Sequence, residues 1–255
     1  MIVKKTPVEI EKMRAAGAVV ARCLKELSEL IEPGKTTTQD IDRMAEELIS
    51  KYGGIGSFKN YRGYPNTVCV AVNEEVVHGI PNSRVLIPGD IVGIDLGVIL
   101  DGWHGDAALT VAVGGQASAE AAGLMKVTKE ALFKGIEQAR PGNRVSDIGH
   151  AIQDYVERRG YSVVRELVGH GIGRNLHEEP NVPNYGRPGK GARLEEGMTL
   201  AIEPMVNIGG FEVETLRDNW TVVSKDGSLS AHFEHTIAIT KNGPDILTLP
   251  LVEEA

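Results

Sequence analysis

The feature that most constrains this chain is an internal repeat. Pro33-Gly34 returns as Pro141-Gly142, and Gly89-Asp-Ile-Val-Gly-Ile-Asp95 returns as Gly197-Met-Thr-Leu-Ala-Ile-Glu203. Both offsets are 108 positions (141 − 33 and 197 − 89). Each copy opens with helical patterning and closes with strand patterning. Thr6-Pro7-Val8-Glu9 has a capping threonine, a proline at the first helical position and a glutamate placed to reach back. Ile10, Met13, Gly17, Val20, Leu24, Leu27 and Ile31 then recur at helical spacing as far as Pro33-Gly34. A second helix carries Ile41, Met44, Leu48, Ile49 and Tyr52 and stops at Gly53. Strand patterning covers Thr67–Val72, Ile91–Leu100 and Gly105–Val113. The order then restarts. Ser118 to Ala139 reads as a helix, Ser146 opens another that ends at Gly160, and strands follow from Tyr161. Two helices and then strands, twice, predict two α+β halves, about 6–113 and 118–240, related by a pseudo-twofold axis. No Gly/Ser/Pro-rich linker separates them, so the expectation is one shared sheet and a single domain over 1–255.

Composition removes several classes of function. The net charge of −8 lacks the basic footprint that phosphate binding needs, which argues against stable nucleic-acid binding. Two cysteines, Cys23 and Cys69, make no disulfide framework and suit a reducing compartment. No apolar run reaches the roughly 18 residues of a membrane span, and the longest candidate, Val85 to Leu100, is interrupted by Asp90 and Asp95. Lys4-Lys5 is followed by Thr-Pro-Val-Glu and not by an apolar stretch, unlike a signal peptide. The expectation is a soluble cytoplasmic protein with no membrane association.

The chemistry is carried by carboxylates in apolar strands. Asp101-Gly102 is a two-residue hairpin signal between Ile91–Leu100 and the strand returning from Trp103. Such a turn sets Leu100 opposite Trp103 and Asp106 opposite Gly97. Asp95 and Asp106 then become diagonal neighbours on one face, with Cβ atoms roughly 7–8 Å apart. Buried like charges repel or take up a proton, and a divalent cation resolves both problems. The second half repeats the anomaly with Glu203 in Leu200-Ala-Ile-Glu-Pro and Glu234 at the head of the apolar strand Glu234-His-Thr-Ile-Ala-Ile239. Near a pseudo-twofold axis the four acids converge. His170, in Gly169-His-Gly-Ile-Gly173, is the expected nitrogen ligand, with its glycines read as permitting tight turns and close substrate approach. His78 and His177 are candidate ligands or proton donors, and His104, His150, His232 and His235 are expected to be structural or solvent-facing. The chain has no H-E-x-x-H, C-x-x-C, G-x-S-x-G, P-loop or G-x-G-x-x-G.

Several segments together resemble the bacterial type I methionine aminopeptidases, over about residues 4–250. They are Tyr64-Pro-Asn-Thr-Val-Cys69, Val76-Val-His-Gly-Ile-Pro81, Ile94-Asp-Leu-Gly-Val, Asp101-Gly-Trp-His-Gly-Asp106, Gly169-His-Gly-Ile-Gly-Arg174, Leu176-His-Glu-Glu-Pro180, Ile202-Glu-Pro-Met205 and Phe233-Glu-His-Thr236. The resemblance implies the pita-bread fold, with a curved, mainly antiparallel sheet and its helices outside. It implies a site for two divalent ions held by Asp95, Asp106, His170, Glu203 and Glu234. Asp106 and Glu234 would bridge, His170 and Glu203 would complete one shell, and Asp95 the other. Cobalt, manganese, iron and zinc all accept such O/N donors.

The implied activity is removal of the initiator methionine from nascent polypeptides when the next residue is small. Glu203 would be the general base, His177 would stabilise the oxyanion, and His78 would assist the leaving amine. Phe58, Tyr61, Tyr64, Cys69, Leu176 and Trp220 would form the methionine pocket, whose sulfur and aromatic edges suit a thioether. Leu176 stands where bacterial relatives commonly carry an aromatic, and Phe58 where they carry something smaller, so this chain departs from the pattern in pocket shape. The resemblance also implies a monomer in transient contact with the ribosome. Two rivals share the fold. Xaa-Pro aminopeptidases and prolidases carry a large N-terminal domain, for which the early motifs here leave no room. A non-catalytic binding protein would not need the intact ligand set. Type II methionine aminopeptidases are excluded by the short interval between Glu203 and Glu234, which lacks their helical insertion.

Overall fold

The computed structural model describes residues 1–249; residues 250–255 of the expected 1–255 domain lie outside the described part. In chain order the first half holds α1 (Pro7–Leu30), α2 (Thr38–Lys51), β1 (Ile55–Gly56), β2 (Cys69–Val72), β3 (Glu75–Val77), β4 (Ile91–Leu100) and β5 (Trp103–Ala112). The second half holds α3 (Ala119–Gln138), α4 (Val145–Glu157), β6 (Ser162–Val163), β7 (Gly169–Gly171), β8 (Glu178–Val182), β9 (Thr199–Ile202), β10 (Met205–Asn207), β11 (Val213–Thr215), β12 (Val222–Ser224), β13 (Ser230–His232), β14 (Glu234–Thr240) and β15 (Gly243–Ile246). The order of two helices and then strands does occur twice.

The main sheet runs β1-β4-β5-β14-β9-β7-β8, with β2 on β4 and β15 on β14. At its centre β4-β5 lies beside β14-β9, joined through the pairing of β5 with β14. All the pairings are antiparallel. β4 and β5 form an unbroken ladder in the expected register, Leu100 opposite Trp103 and Gly97 opposite Asp106. Asp101 and Gly102 both have positive φ, 50° and 77°, as a type I′ turn requires.

Alternation along the strands sorts residues by face. Val92, Ile94, Leu96 and Val98 of β4 enter a buried core with α1 and α2. Leu200, Ile202, Ile237 and Ile239 enter the corresponding core with α3 and α4. The helices therefore cover one face of the sheet. The other face receives the residues in between, including Cys69, Asp95, Asp106, Ala108, Glu203 and Glu234.

Local signals set the element ends. Thr6 and Glu9 form the capping box of α1, and Thr37 and Asp40 form one for α2. Ser118 caps α3. Ser146 does not open α4: the helix begins at Val145, and the Ser146 hydroxyl donates to the Lys190 carbonyl instead. A tertiary contact has taken the hydroxyl that would otherwise cap.

The N-terminal segment is anchored near the site. Lys5 is buried, and its ammonium donates to Glu178 Oε2 at 2.6 Å and to the Val3 carbonyl at 3.0 Å. Gly173 leaves room for it, since a Cβ there would lie 2.5 Å from the Lys5 Cε. The two side chains are 2% and 9% exposed, so removing one partner strands a charge away from water. Lys5→Met is expected to cost about 3–5 kcal/mol of stability. Urea unfolding of the metal-stripped protein measures it, and a loss under about 1 kcal/mol, the surface-pair range, would contradict this account.

Candidate metal centre

The register brings the acids into line. Cys69 lies opposite Asp95, Asp95 opposite Ala108, and Ala108 opposite Glu234. Across the next strand His235 lies opposite Ile202, so Glu203, just past the end of β9, continues the row. The small Ala108 separates two carboxylates in that row and leaves the space between them open. His170 reaches the same face from β7, where it lies opposite Ala201.

His170 stands in a strand and not in a tight turn, which corrects the reading of its glycines. A Cβ at Gly169 would lie 2.4 Å from the Ala201 carbonyl oxygen, and one at Gly171 would lie 2.2 Å from that of Glu179. The glycines let neighbouring backbones approach the strand. The His170 Nδ1 lies 2.8 Å from the Gly171 carbonyl, which fixes that nitrogen as the donor and leaves Nε2 as a lone pair. Nε2 lies 3.5 Å from Glu203 Oε1. Burial pushes the imidazole pKa down to about 4, so the pair is not an ion pair at neutral pH.

Ligand atoms of Asp106, His170 and Glu234 all lie within 4.8 Å of one another, and all three residues are buried. Asp95 Oδ1, Asp106 Oδ1 and Glu234 Oε1 are buried without a hydrogen-bond partner. Burial raises Asp95 to about 7. Burial first, and then mutual repulsion, raises Asp106, Glu203 and Glu234 well above the usual carboxylate range. Unpartnered carboxylate oxygens around a neutral imidazole lone pair are costly alone and complementary to a divalent cation. The residues fit such an ion.

The cluster opens into a cavity of about 300 Å³. Its walls include Phe58, Tyr61, Tyr64, Cys69, His78, Leu176, His177 and Trp220 together with all five candidate ligands. Every candidate site residue of the sequence thus faces one space. Tyr64 and Trp220 meet edge to face at 5.1 Å. The Tyr64 hydroxyl is held by the Val68 and Gly79 carbonyls, so its ring presents only apolar surface. Tyr61 stacks on His177, and its hydroxyl lies 2.9 Å from the His177 Nδ1. His177 is open to the cavity yet lies 4.1 Å from the His170 ring. Desolvation by the walls, followed by the His170 neighbour, lowers its pKa to about 3. His78 has φ +58°, a left-handed conformation that costs a non-glycine residue about 1–3 kcal/mol and concentrates at functional sites. Burial lowers its pKa as well.

Arg62, Val77, Glu166, Leu167, Val168 and Met205 also line the cavity. Sequence patterning carried no signal for them, because tertiary contacts bring them in, Val77 from the end of β3, Met205 from the start of β10 and the others from outside the named strands and helices. His104 and His235 are structural, bonded to Ser57 and Thr248. His150 is exposed, and His232 is buried with its Nε2 unpartnered.

A model of metallopeptidase family M24 matches residues 11–241. The chain belongs to that family. Within M24 it falls among the methionine aminopeptidases. It is 57% identical to a methionine aminopeptidase of Clostridium acetobutylicum over 98% of this chain and 99% of that one. It is 56% identical to methionine aminopeptidase 1 of Bacillus subtilis over 97% and 99%. Superposition on the crystal structure of the Thermotoga maritima methionine aminopeptidase gives a TM-score of 0.95 at 50% identity, covering 98% of this chain and 100% of that one. A Xaa-Pro dipeptidase from Bacillus anthracis shares the fold at TM-score 0.76 and 23% identity, and this chain spans 61% of its length. This M24 chain therefore has the pita-bread architecture, and its buried acid–imidazole set is that of a metal-dependent peptidase. No described helix is long and apolar enough to cross a membrane.

The raised carboxylates give this M24 centre a defined pH dependence. Below their folded pKa the acids hold protons that a cation must displace, whereas His170 is already neutral and releases none. Binding of Mn(II) to metal-stripped protein at pH 6 is therefore expected to release protons. Affinity should rise with pH through about 7, where Asp95 loses its proton. Calorimetry in buffers of different ionisation enthalpy measures this, and proton uptake, or affinity flat from pH 5.5 to 7.5, would sink the assignment.

Proposed function

We propose that this chain removes the N-terminal methionine of nascent polypeptides when the second residue is small. The observation that carries the proposal is the pairing, in one cavity, of an acid–imidazole cluster with an apolar cup of Phe58, Tyr64, Cys69, Leu176 and Trp220. The cup suits the thioether side chain, and the acids suit the free α-amine, which restricts cleavage to chain ends. On this reading Asp95, Asp106, His170, Glu203 and Glu234 would hold two divalent ions (cobalt, manganese, iron or zinc). When bound, they supply Lewis acidity that acidifies water and polarises the scissile carbonyl.

The chain's own residues do the rest. Glu203, at the mouth of the acid row, takes the proton of the attacking water. With the Tyr61 hydroxyl donating to Nδ1, the His177 Nε2 carries a proton and donates it in a hydrogen bond to the oxygen that becomes an oxyanion. Its lowered pKa keeps this imidazole neutral throughout the physiological range. His78, held in its strained conformation beside Trp220, hydrogen-bonds the peptide nitrogen and assists the leaving amine. The enzyme works as a single catalytic domain and a monomer in the cytoplasm, in transient contact with the ribosome that makes its substrates.

The test uses metal-stripped protein and two peptides, one beginning Met-Ala-Ser and one Ala-Pro, followed by mass spectrometry while Mn(II) or Co(II) is titrated in. Metal-dependent loss of methionine from the first peptide only, absent in Glu203→Ala, is the expected result. Cleavage of the second peptide instead would move the chain to the proline-specific branch of the fold. Cleavage of neither, with metal still bound, would leave a binding protein.

A further inference from the structure

The junction between the two halves is irregular at the positions that flank the acid row. β5 and β14 pair directly at Glu234–Ala108 and His235–Ala107. Continued in the same register, the ladder would set Thr236 opposite Asp106 and His232 opposite Thr110, two residues to either side of the Glu234–Ala108 pair. At neither position does a backbone pair close the gap. The Thr236 hydroxyl accepts from the Asp106 N–H at 3.0 Å and donates to the Asp106 carbonyl at 2.7 Å. The Thr110 hydroxyl accepts from the His232 N–H at 3.0 Å and donates to the His232 carbonyl at 2.8 Å. A hydroxyl offers one donor and two lone pairs, so a single side chain serves both groups that a ladder partner would otherwise meet. The two threonines are buried, at 0% and 5% exposure, and the arrangement is the same at both ends.

We propose that the Thr236 and Thr110 hydroxyls are positioning groups for the metal centre: Thr236 holds β14 against β5 at Asp106, and Thr110 holds β5 against the end of β13, two residues before Glu234. The inference rests on the reading that these two acids hold the metal. Two observations favour it over a role in stability alone. Asp106 Oδ1 and Glu234 Oε1 have no hydrogen-bond partner, and the donor that does act on the Asp106 carboxylate, the Ala107 N–H, belongs to β5 itself. Their placement falls to the backbone, and the backbone at Asp106, and two residues before Glu234, is held by these hydroxyls. Ligand atoms of Asp106, Glu234 and His170 must also come from three strands to within 4.8 Å, so a change in strand separation is felt directly at the centre.

The test is Mn(II) calorimetry on metal-stripped Thr236→Val, Thr236→Ser and Asp106→Asn, with the thermal midpoint of each metal-free protein. Valine keeps the shape and removes the hydroxyl. Loss of groups that orient metal ligands costs roughly 10–100-fold in affinity, and Thr236→Val is expected to fall in that range while Thr236→Ser binds like the parent. Thr236→Val with a lowered midpoint and unchanged affinity would overturn the proposal and leave the threonine a structural residue. Equal weakening in valine and serine would also overturn it, since the hydroxyl would not be the cause. If Thr236→Val does not fold, Thr110→Val decides by the same criteria. Asp106→Asn separates the two levels: binding like the parent there removes the metal reading itself, whereas weakened binding there with intact binding in Thr236→Val removes only the threonine role.

Discussion

Replacing Glu203 by glutamine is expected to lower kcat on a Met-Ala-Ser peptide by roughly 10²- to 10⁴-fold, the range a positioned general base contributes. Glutamine preserves the shape and one oxygen but cannot accept the proton of water. The residue is well placed for the task. It sits at the end of β9, where Pro204 stops the ladder, and its carboxylate lies beside the His170 Nε2 on the cavity wall. Asn184 donates to its main-chain carbonyl at 3.0 Å, which fixes the backbone there. The decisive measurement is kcat at saturating metal, with a melt to confirm that the variant is folded. Activity within tenfold of the parent would remove Glu203 from the role of base.

The second large effect is expected at His177. His177→Ala should reduce kcat by about 10²- to 10³-fold, as removal of one oxyanion donor does, with little change in KM. The ring acts on charge that develops after substrate binds, so the loss belongs in the turnover step. Desolvation by the cavity walls and the neighbouring His170 hold its pKa near 3. The sign of the pH effect follows. A donor that stays neutral above that value contributes no change of protonation between pH 6 and 8. The parent and the variant should therefore show kcat profiles of the same shape in that interval, displaced vertically. A rise in KM with kcat preserved would make His177 a binding residue only.

The repeat, the helix starts and the hairpin register were legible in the sequence because each depends on neighbours in the chain. Thr6 and Glu9 cap α1 locally, Asp101-Gly102 fixes the pairing of β4 with β5 by turn geometry alone, and alternation then puts Asp95 and Asp106 on one face. The acids were visible because charges inside apolar strands demand an explanation. The pocket residues Phe58, Leu176 and Trp220 came from family resemblance and not from any local pattern, since an apolar residue in a loop looks the same whether it lines a core or a cavity. Ser146 misled for the converse reason: its hydroxyl found a partner, Lys190, far along the chain.

What tertiary structure alone decided is the assembly of the row. The pairing of β5 with β14 sets Glu234 across Ala108 from Asp95, and β7 delivers His170 to the same face. No periodicity encodes a pairing between strands more than a hundred residues apart, because it is selected by the burial of both helix-covered cores at once. The same holds for Arg62, Glu166 and Met205 in the cavity wall, and for the Thr236 and Thr110 hydroxyls between the halves. The sequence by itself determined which groups had to meet a cation. The curvature and register of the shared sheet determined that they meet in one place, beside an apolar cup, because only the folded sheet brings both halves' acid-bearing faces to the same side.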